Sequence, residues 1–265
     1  MADLSRLVTR DGQLLWELAK RDIRDRYAGQ MLGAVWALGH PLLLMAVYVF
    51  IFSYVFRLKL GGTTDLPLDY TTYILSGLVP WLTFQDTLGR ATTIISSNVN
   101  LVKQAVFPLQ VLPVKVCLAS SLNLLIGTAV LLGYALIAHQ SLHATTLLVP
   151  LLFAIQLVWM VGVAFIVASA GAYFRDLKDV VLVGTLVGLY LMPVFYLPAM
   201  VPEIFRPILY FNPFSYLIWC YQDAIYFGRF EHPWAWPILA FLAVFTFYGG
   251  FRLFRRLQPG FGSVL

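Results

Sequence analysis

The sequence predicts an all-α integral membrane protein: six transmembrane helices, an N-terminal amphipathic interfacial helix, and a re-entrant helix pair before the last span. Three observations lead there. Hydrophobic residues make up 60% of the chain and charged residues only 12%, against about a quarter charged in soluble domains. So much apolar surface cannot be hidden in one water-facing globule, and a bilayer is the simplest solvent for it. The apolar residues fall in long charge-free runs, separated by short polar knots whose basic residues are unevenly shared.

The opening stretch, "MADLSRLVTRDGQLLWELAKRDIRDRY", lacks the apolar core and cleavage pattern of a signal peptide. It interleaves Leu4, Leu7, Val8, Leu14, Leu15 and Leu18 with charges, the spacing of a helix with one apolar face. Lys20, Arg21, Arg24 and Arg26 follow. Residues 1–29 therefore read as a basic amphipathic helix on an anionic membrane surface.

Met31 to Phe56 is free of Lys, Arg, Asp and Glu and forms the first span, with Pro41 expected to kink it or mark a junction. "RLKLGGTTDLPLDY" is an exposed loop. A second span runs from Tyr70 towards Ser96. It carries Asp86 and Arg90, four apart, as a structural ion pair on one helix face. The segment "SSNVNLVKQAVFPLQVLPVK" interrupts the apolar pattern. Further spans cover Val116 to Ala138, Ala144 to Phe174, and Val180 to about Leu197, the last after the knot "RDLKD". Residues 198–231 are too broken by prolines for a plain span and too apolar for a wet loop. A re-entrant helix pair answers both facts, with its backbone covered by protein or lining a cavity. The final span is Pro233 to Phe251.

Six spans put both termini on one side, and the basic residues choose the cytoplasm. On that side fall the N-terminal arginines and Lys20, then Lys103, Lys115, Arg175, Lys178, Arg252, Arg255 and Arg256; the other holds only Arg57, Lys59, Arg206 and Arg229.

The chain carries no Walker-type phosphate loop, no buried chain of carboxylates for an ion relay, and no convergent polar cluster for a membrane transferase. An ion-driven transporter and a glycosyl or acyl transferase are thereby disfavoured. Cys117 and Cys220 read as small core residues. His139 and His143 have i,i+4 spacing but too few companions for a metal site. Gly29/Gly33 and Gly184/Gly188 permit close helix approach, within the subunit or between subunits. Aromatics crowd the outer half, as an interfacial belt or as a channel lining on which sugar rings can stack.

Five stretches, "RDIRDRYAGQMLGAVWALGHPLLLMAVYVFIFSYVF", "NVNLVKQAVFPLQVLPV", "YFRDLKD", "PVFYLPAMVPEIFRPILYFNPFSYLI" and "GFGSVL", follow one another over nearly the whole chain. Together they resemble the membrane subunit of polysaccharide-exporting ABC transporters of the ABC-2 type, with forms closest to O-antigen exporters. The resemblance implies one transmembrane domain over 1–265 in the bacterial inner membrane, working as a homodimer with two cytoplasmic ATPase subunits. ATP and Mg are bound by those subunits and no cofactor by this chain. The cargo is a lipid-linked polysaccharide of O-antigen type, or alternatively capsule, teichoic acid, or another lipid or drug. Membrane lipids are the other partner, and nucleic acid is not one.

By the same resemblance, residues 97–110 are a coupling helix. Asn98, Asn100, Lys103, Gln104 and Phe107 contact the ATPase, and Pro108 and Pro113 break the helix before span three. Arg24, Arg26 and Tyr27 belong to a cytoplasmic gate. Phe195, Tyr196, Tyr210, Phe211, Tyr216 and Trp219 are the channel aromatics, and 198–231 caps the channel outside.

Overall fold

The computed structural model describes residues 12–27, 35–55, 67–103 and 107–264. Among them every regular element is helical: α1 (Gly12–Tyr27), α2 (Val35–Val49) with a π-helical extension Phe50–Val55, α3 (Tyr70–Ala91), the one-turn α4 (Val99–Val102), α5 (Val111–His139), α6 (Val149–Tyr173), α7 (Leu177–Tyr190), α8 (Arg206–Phe211), α9 (Pro213–Gln222), α10 (Ala235–Leu257) and the one-turn α11 (Phe261–Val264). Three stretches among the described residues, Val111–His139, Ala144–Tyr173 and Ala235–Ser263, are long and apolar enough to cross a membrane. The start of the first span, the Gly29/Gly33 pair and the loop around 57–66 lie outside the described residues.

Helix α1 buries Leu15 and Ala19, one turn apart, against α5, while Lys20, Arg21 and Arg24 stay on its solvent side. Helix α2 runs through Pro41 without a break. Helix α3 is the central element, buried on nearly every side and packed on α5, α6 and α9. Asp69 caps it by accepting from Thr72 N at 3.3 Å. Trp81 and Phe84 of α3 meet Trp159 of α6 and Phe214 of α9 edge-on or tilted, with centroids 4.8–5.2 Å apart. Gln156 of α6 donates to the Pro80 carbonyl at 3.0 Å, adding a polar tie in the same layer.

Among the described residues the most extensive helix pairing is α6 with α10. A Cβ on Gly250 would come within 2.2 Å of the Gly162 carbonyl oxygen, and one on Gly162 within 2.5 Å of the Phe247 amide. Small residues let these backbones touch, the usual device where helices gain little from excluding water.

Two expected boundaries move. Helix α5 starts at Val111, so Pro113 stands in its first turn, where the missing N–H has no intrahelical acceptor to lose. The break before it falls at Pro108. The fifth span, read as Val180 to about Leu197, is a helix that stops at Tyr190. Beyond it, the Pro193 carbonyl accepts from Tyr73 of α3 at 3.2 Å and from Gln222 of α9 at 2.8 Å. The Tyr196 carbonyl accepts from Tyr73 at 2.9 Å. Irregular backbone at this depth survives because buried side chains satisfy it.

Candidate functional site

The segment joining α3 to α5 leaves the helix through a tight turn at Ser96–Asn98 and makes one α-turn, Val99–Val102. Asn98 turns back on its own chain, its Nδ2 donating to the Ile94 carbonyl at 2.8 Å and to Ser97 Oγ at 3.2 Å. Such back-bonding competes with regular helix, and within the described residues the segment is turn and short helix rather than one continuous rod over 97–110. Asn100 and Lys103 face solvent, and Val102 and Leu109 are buried. Phe107 is half-buried on the core, and the Pro108 carbonyl accepts from Val111 N at 3.0 Å. Gln104 lies outside the described residues.

The C-terminal stretch comes to the same end of the molecule. Phe261 is fully buried, with its ring 5.3 Å from Phe254 and 6.0 Å from Tyr173. A groove of about 430 Å³ runs between Val102, Phe107 and Leu109 on one wall and Arg255, Gln258 and Gly262 on the other. Helix α1 completes the platform. Asp22 Oδ1 is 3.9 Å from the Nζ of Lys115, a lysine in the first turns of α5 that is 9% exposed. A polar cavity of about 420 Å³ opens there among Arg21, Asp25, Asn98 and Asn100. Arg24 is exposed on α1; Arg26 and Tyr27 end the helix, their side chains outside the described set. Apolar residues are thus buried beneath the exposed side chains of Asn100 and Lys103. No group of three metal-binding side chains occurs among the described residues.

At the opposite end of α3 the nominated aromatics occupy different environments. Phe195 is buried, stacked on Tyr48 at 5.5 Å. Tyr196 donates to the Tyr190 carbonyl at 2.9 Å, and Tyr216 to that of Tyr210 at 2.6 Å. Phe211 is 87% exposed, whereas Trp219 is wholly enclosed and stacks on His232 with centroids 5.1 Å apart. Helix α8 and helix α9 form a bent pair around Asn212, whose side chain accepts from Phe214 N at 3.0 Å.

Two polar clusters here escaped the sequence. Asp223 accepts from His232 N at 3.0 Å, His232 Nδ1 at 2.9 Å and Trp236 Nε1 at 3.2 Å. Asp69 accepts from Thr72, from Tyr134 at 2.6 Å and from His139 Nε2 at 2.9 Å. Burial opposes ionisation of Asp69, but the hydrogen bonds from Thr72, Tyr134 and His139 outweigh it and hold the carboxyl below its ordinary value. His139, considered above for metal binding, is thus a carboxylate partner. The Asp86–Arg90 pair forms as read, with Nε to Oδ1 at 2.7 Å.

The fold defines an all-helical membrane protein among the described residues, with long apolar helices and an exposed polar turn at one end. A model of the ABC-2 type transporter family matches residues 13–226, and the chain belongs to that family. It is similar to the O-antigen export system permease protein RfbA of Klebsiella pneumoniae, 27% identical over 253 residues and 95% of each chain. It is 30% identical to the RfbA permease of Myxococcus xanthus over 87% of this chain and 86% of that one. The polysialic acid transport protein KpsM of Escherichia coli is 24% identical over 90% and 91%.

Proposed function

We propose that this chain is the membrane subunit through which a lipid-linked polysaccharide of O-antigen type leaves the cytoplasm, driven by ATP hydrolysed on a separate subunit. The observation that carries this reading is the end-to-end similarity to permeases named for O-antigen export, 95% of both chains in the Klebsiella case. Two copies line the path and two ATPase subunits bind below. The chain crosses the inner membrane six times with both termini in the cytoplasm, in keeping with the distribution of basic residues. Helix α7, 14 residues or about 21 Å long, completes its crossing through the irregular stretch after Tyr190. The α8–α9 pair dips in from the outer face and caps the path.

Asn100, Lys103 and Phe107, with Asn98, Gln104 and Pro108 shaping the turn, meet the ATPase; Arg24, Arg26 and Tyr27 guard the inner mouth. Phe195, Tyr196, Tyr210, Phe211, Tyr216 and Trp219 shape its outer half. The similarity to polysialic acid transporters favours a capsule-type polymer as the second reading.

Deleting the gene and profiling surface glycans tests the proposal. Loss of long O-antigen chains with intact lipid A core is the expected result. Loss of capsule alone would select the second reading, and an unchanged surface would refute both. In the restored strain, the Asn100→Ala, Lys103→Ala, Phe107→Ala triple variant is expected to insert normally and to export nothing.

A further inference from the structure

A cavity of about 210 Å³ opens between α2, α3 and α5, bounded by Met45, Thr83, Gln85, Asp86, Asn123 and Gly127. At about 30 Å³ per water it has room for roughly seven waters, or for one pyranose ring with its hydroxyls. The approach of α3 and α5 shapes it: a Cβ on Gly127 would lie 2.8 Å from Val79 Cγ1, so only glycine lets the helices converge here.

Its wall is mostly apolar but carries Thr83, Gln85, Asp86 and Asn123 at a depth where polarity is costly. Gln85 lies 15 residues into α3, and Asn123 12 residues into α5, about 18 Å along it. Among the described residues neither amide has a side-chain hydrogen-bond partner, although each offers two donors and one acceptor oxygen. Asp86 between them accepts from Arg90 Nε at 2.7 Å and from Ser120 Oγ at 2.6 Å, so the carboxylate is charge-paired and fixed. Polar side chains facing a cavity inside a membrane helix bundle mark a ligand path more often than a structural need.

We infer that this cavity is a subsite for an uncharged, hydroxyl-rich pyranose unit of the moving polymer, with Gln85 and Asn123 trading hydrogen bonds with its hydroxyls and Met45 lying against the ring. The inference rests on the export reading above and deepens it. The chemistry excludes a polyanion at this point. Among the described lining residues no side chain is basic, and a sugar carboxylate would meet the Asp86 carboxylate first. Amides exchange hydrogen bonds with passing hydroxyls without the strong, charge-assisted hold that would stall a chain.

The test uses the complete transporter with its ATPase in cells that make the polymer. A photo-crosslinking residue replaces Asn123, and the adduct is isolated and its sugars identified. Neutral hexose or deoxyhexose repeats on the protein are the expected result. An adduct carrying lipid alone, or an anionic repeat, overturns the subsite. In parallel, Gln85→Leu with Asn123→Leu is expected to cut export at least fivefold with membrane insertion and ATPase assembly unchanged. Gln85→Glu is expected to fold as the parent does and to slow export of a neutral polymer less than the double leucine variant. Unaltered export in the double leucine variant overturns the proposal. A deletion strain that keeps every surface glycan overturns the export reading and the subsite with it. A strain that loses its glycan, with only lipid captured at 123, overturns the subsite and leaves export standing.

Discussion

Two adjacent glycines in α10 are expected to respond in opposite directions to the same added methyl group. Gly250 is buried against α6, and its added Cβ would lie 2.2 Å from the Gly162 carbonyl oxygen. Comfortable contact is about 3.5 Å, so the helices would have to part by roughly 1.3 Å or twist. The obstacle is backbone on both sides, and no rotamer change relieves it. Overpacking of this kind costs about 1–3 kcal/mol, and separation also loosens the Phe165 contacts with Phe251 and Phe254, now at 5.6 and 5.2 Å. Gly249 points the other way, and its Cβ would meet no described atom within 4 Å. Gly249→Ala then only removes a flexible residue from a helix, worth about 0.5–1 kcal/mol in favour of the fold. Cys117 and Cys220 are both free and buried, so a thiol-reactive dye reports unfolding of the detergent-solubilised chain without a label. Gly250→Ala should lower the thermal midpoint by several degrees, and Gly249→Ala should leave it level or slightly higher. Equal midpoints for the two variants would show that α6 and α10 do not touch as described.

Further outcomes concern Asp69, Trp219 and Phe211. Because the folded-state carboxyl of Asp69 is held below its ordinary 3.8, its stabilisation is present in full above that value and fades as pH falls through the lower, folded value. The midpoint gap between parent and Asp69→Asn should thus be flat around neutrality and shrink below about pH 4; a gap that widens on acidification would contradict the network with Tyr134 and His139. Trp219→Ala should cost about 3–5 kcal/mol, as for a fully buried aromatic. By contrast, Phe211→Ala should leave the midpoint within a degree while slowing export, and the reverse pattern would mean that the enclosed and exposed rings have been exchanged.

Much of this was legible because hydrocarbon imposes simple rules. A run without charges long enough to cross reads directly as helix, and the stretch from Ala144 to Phe174 is helical to within one residue. Asp86 and Arg90 were legible because one turn of helix separates them. What stayed hidden depends on partners far along the chain. Asp69 meets Tyr134 and His139 across 65 and 70 residues. Gly162 and Gly250 belong to different helices, so neither shows the local Gly-x-x-x-Gly spacing, whereas Gly184 of a matching pair faces no described atom within 4 Å. The early end of α7 is a different case. Pro193 disfavours helix at Met192 and stands two residues past the cap, a stop signal that the span reading passed over, while the buried Pro193 carbonyl beyond the helix is met by Tyr73 and Gln222 from elsewhere.

The position of α3 explains how a push at one end can reach the other. It is 22 residues, about 33 Å, of helix, buried on nearly all sides. One end runs into the turn that presents Asn100 and Lys103. Near the other end, Tyr73 holds the carbonyls of Pro193 and Tyr196, directly before the α8–α9 pair. Between these, Trp81 and Phe84 lock it to α6 and α9 through a dense ring cluster. Close-packed interiors transmit displacement rather than absorb it. On the export reading, a rigid shift of the turn at Ser96–Asn98 is expected to carry α9 and the backbone at Pro193 with it. Cutting the tie at Tyr73, by Tyr73→Phe, keeps the ring packing and removes only the hydroxyl, whose single proton is shared between the two carbonyls. The expected result is an intact, folded subunit in which ATP turnover continues and export slows. Unchanged export would refute a coupling route through Tyr73 and direct the same test to α10.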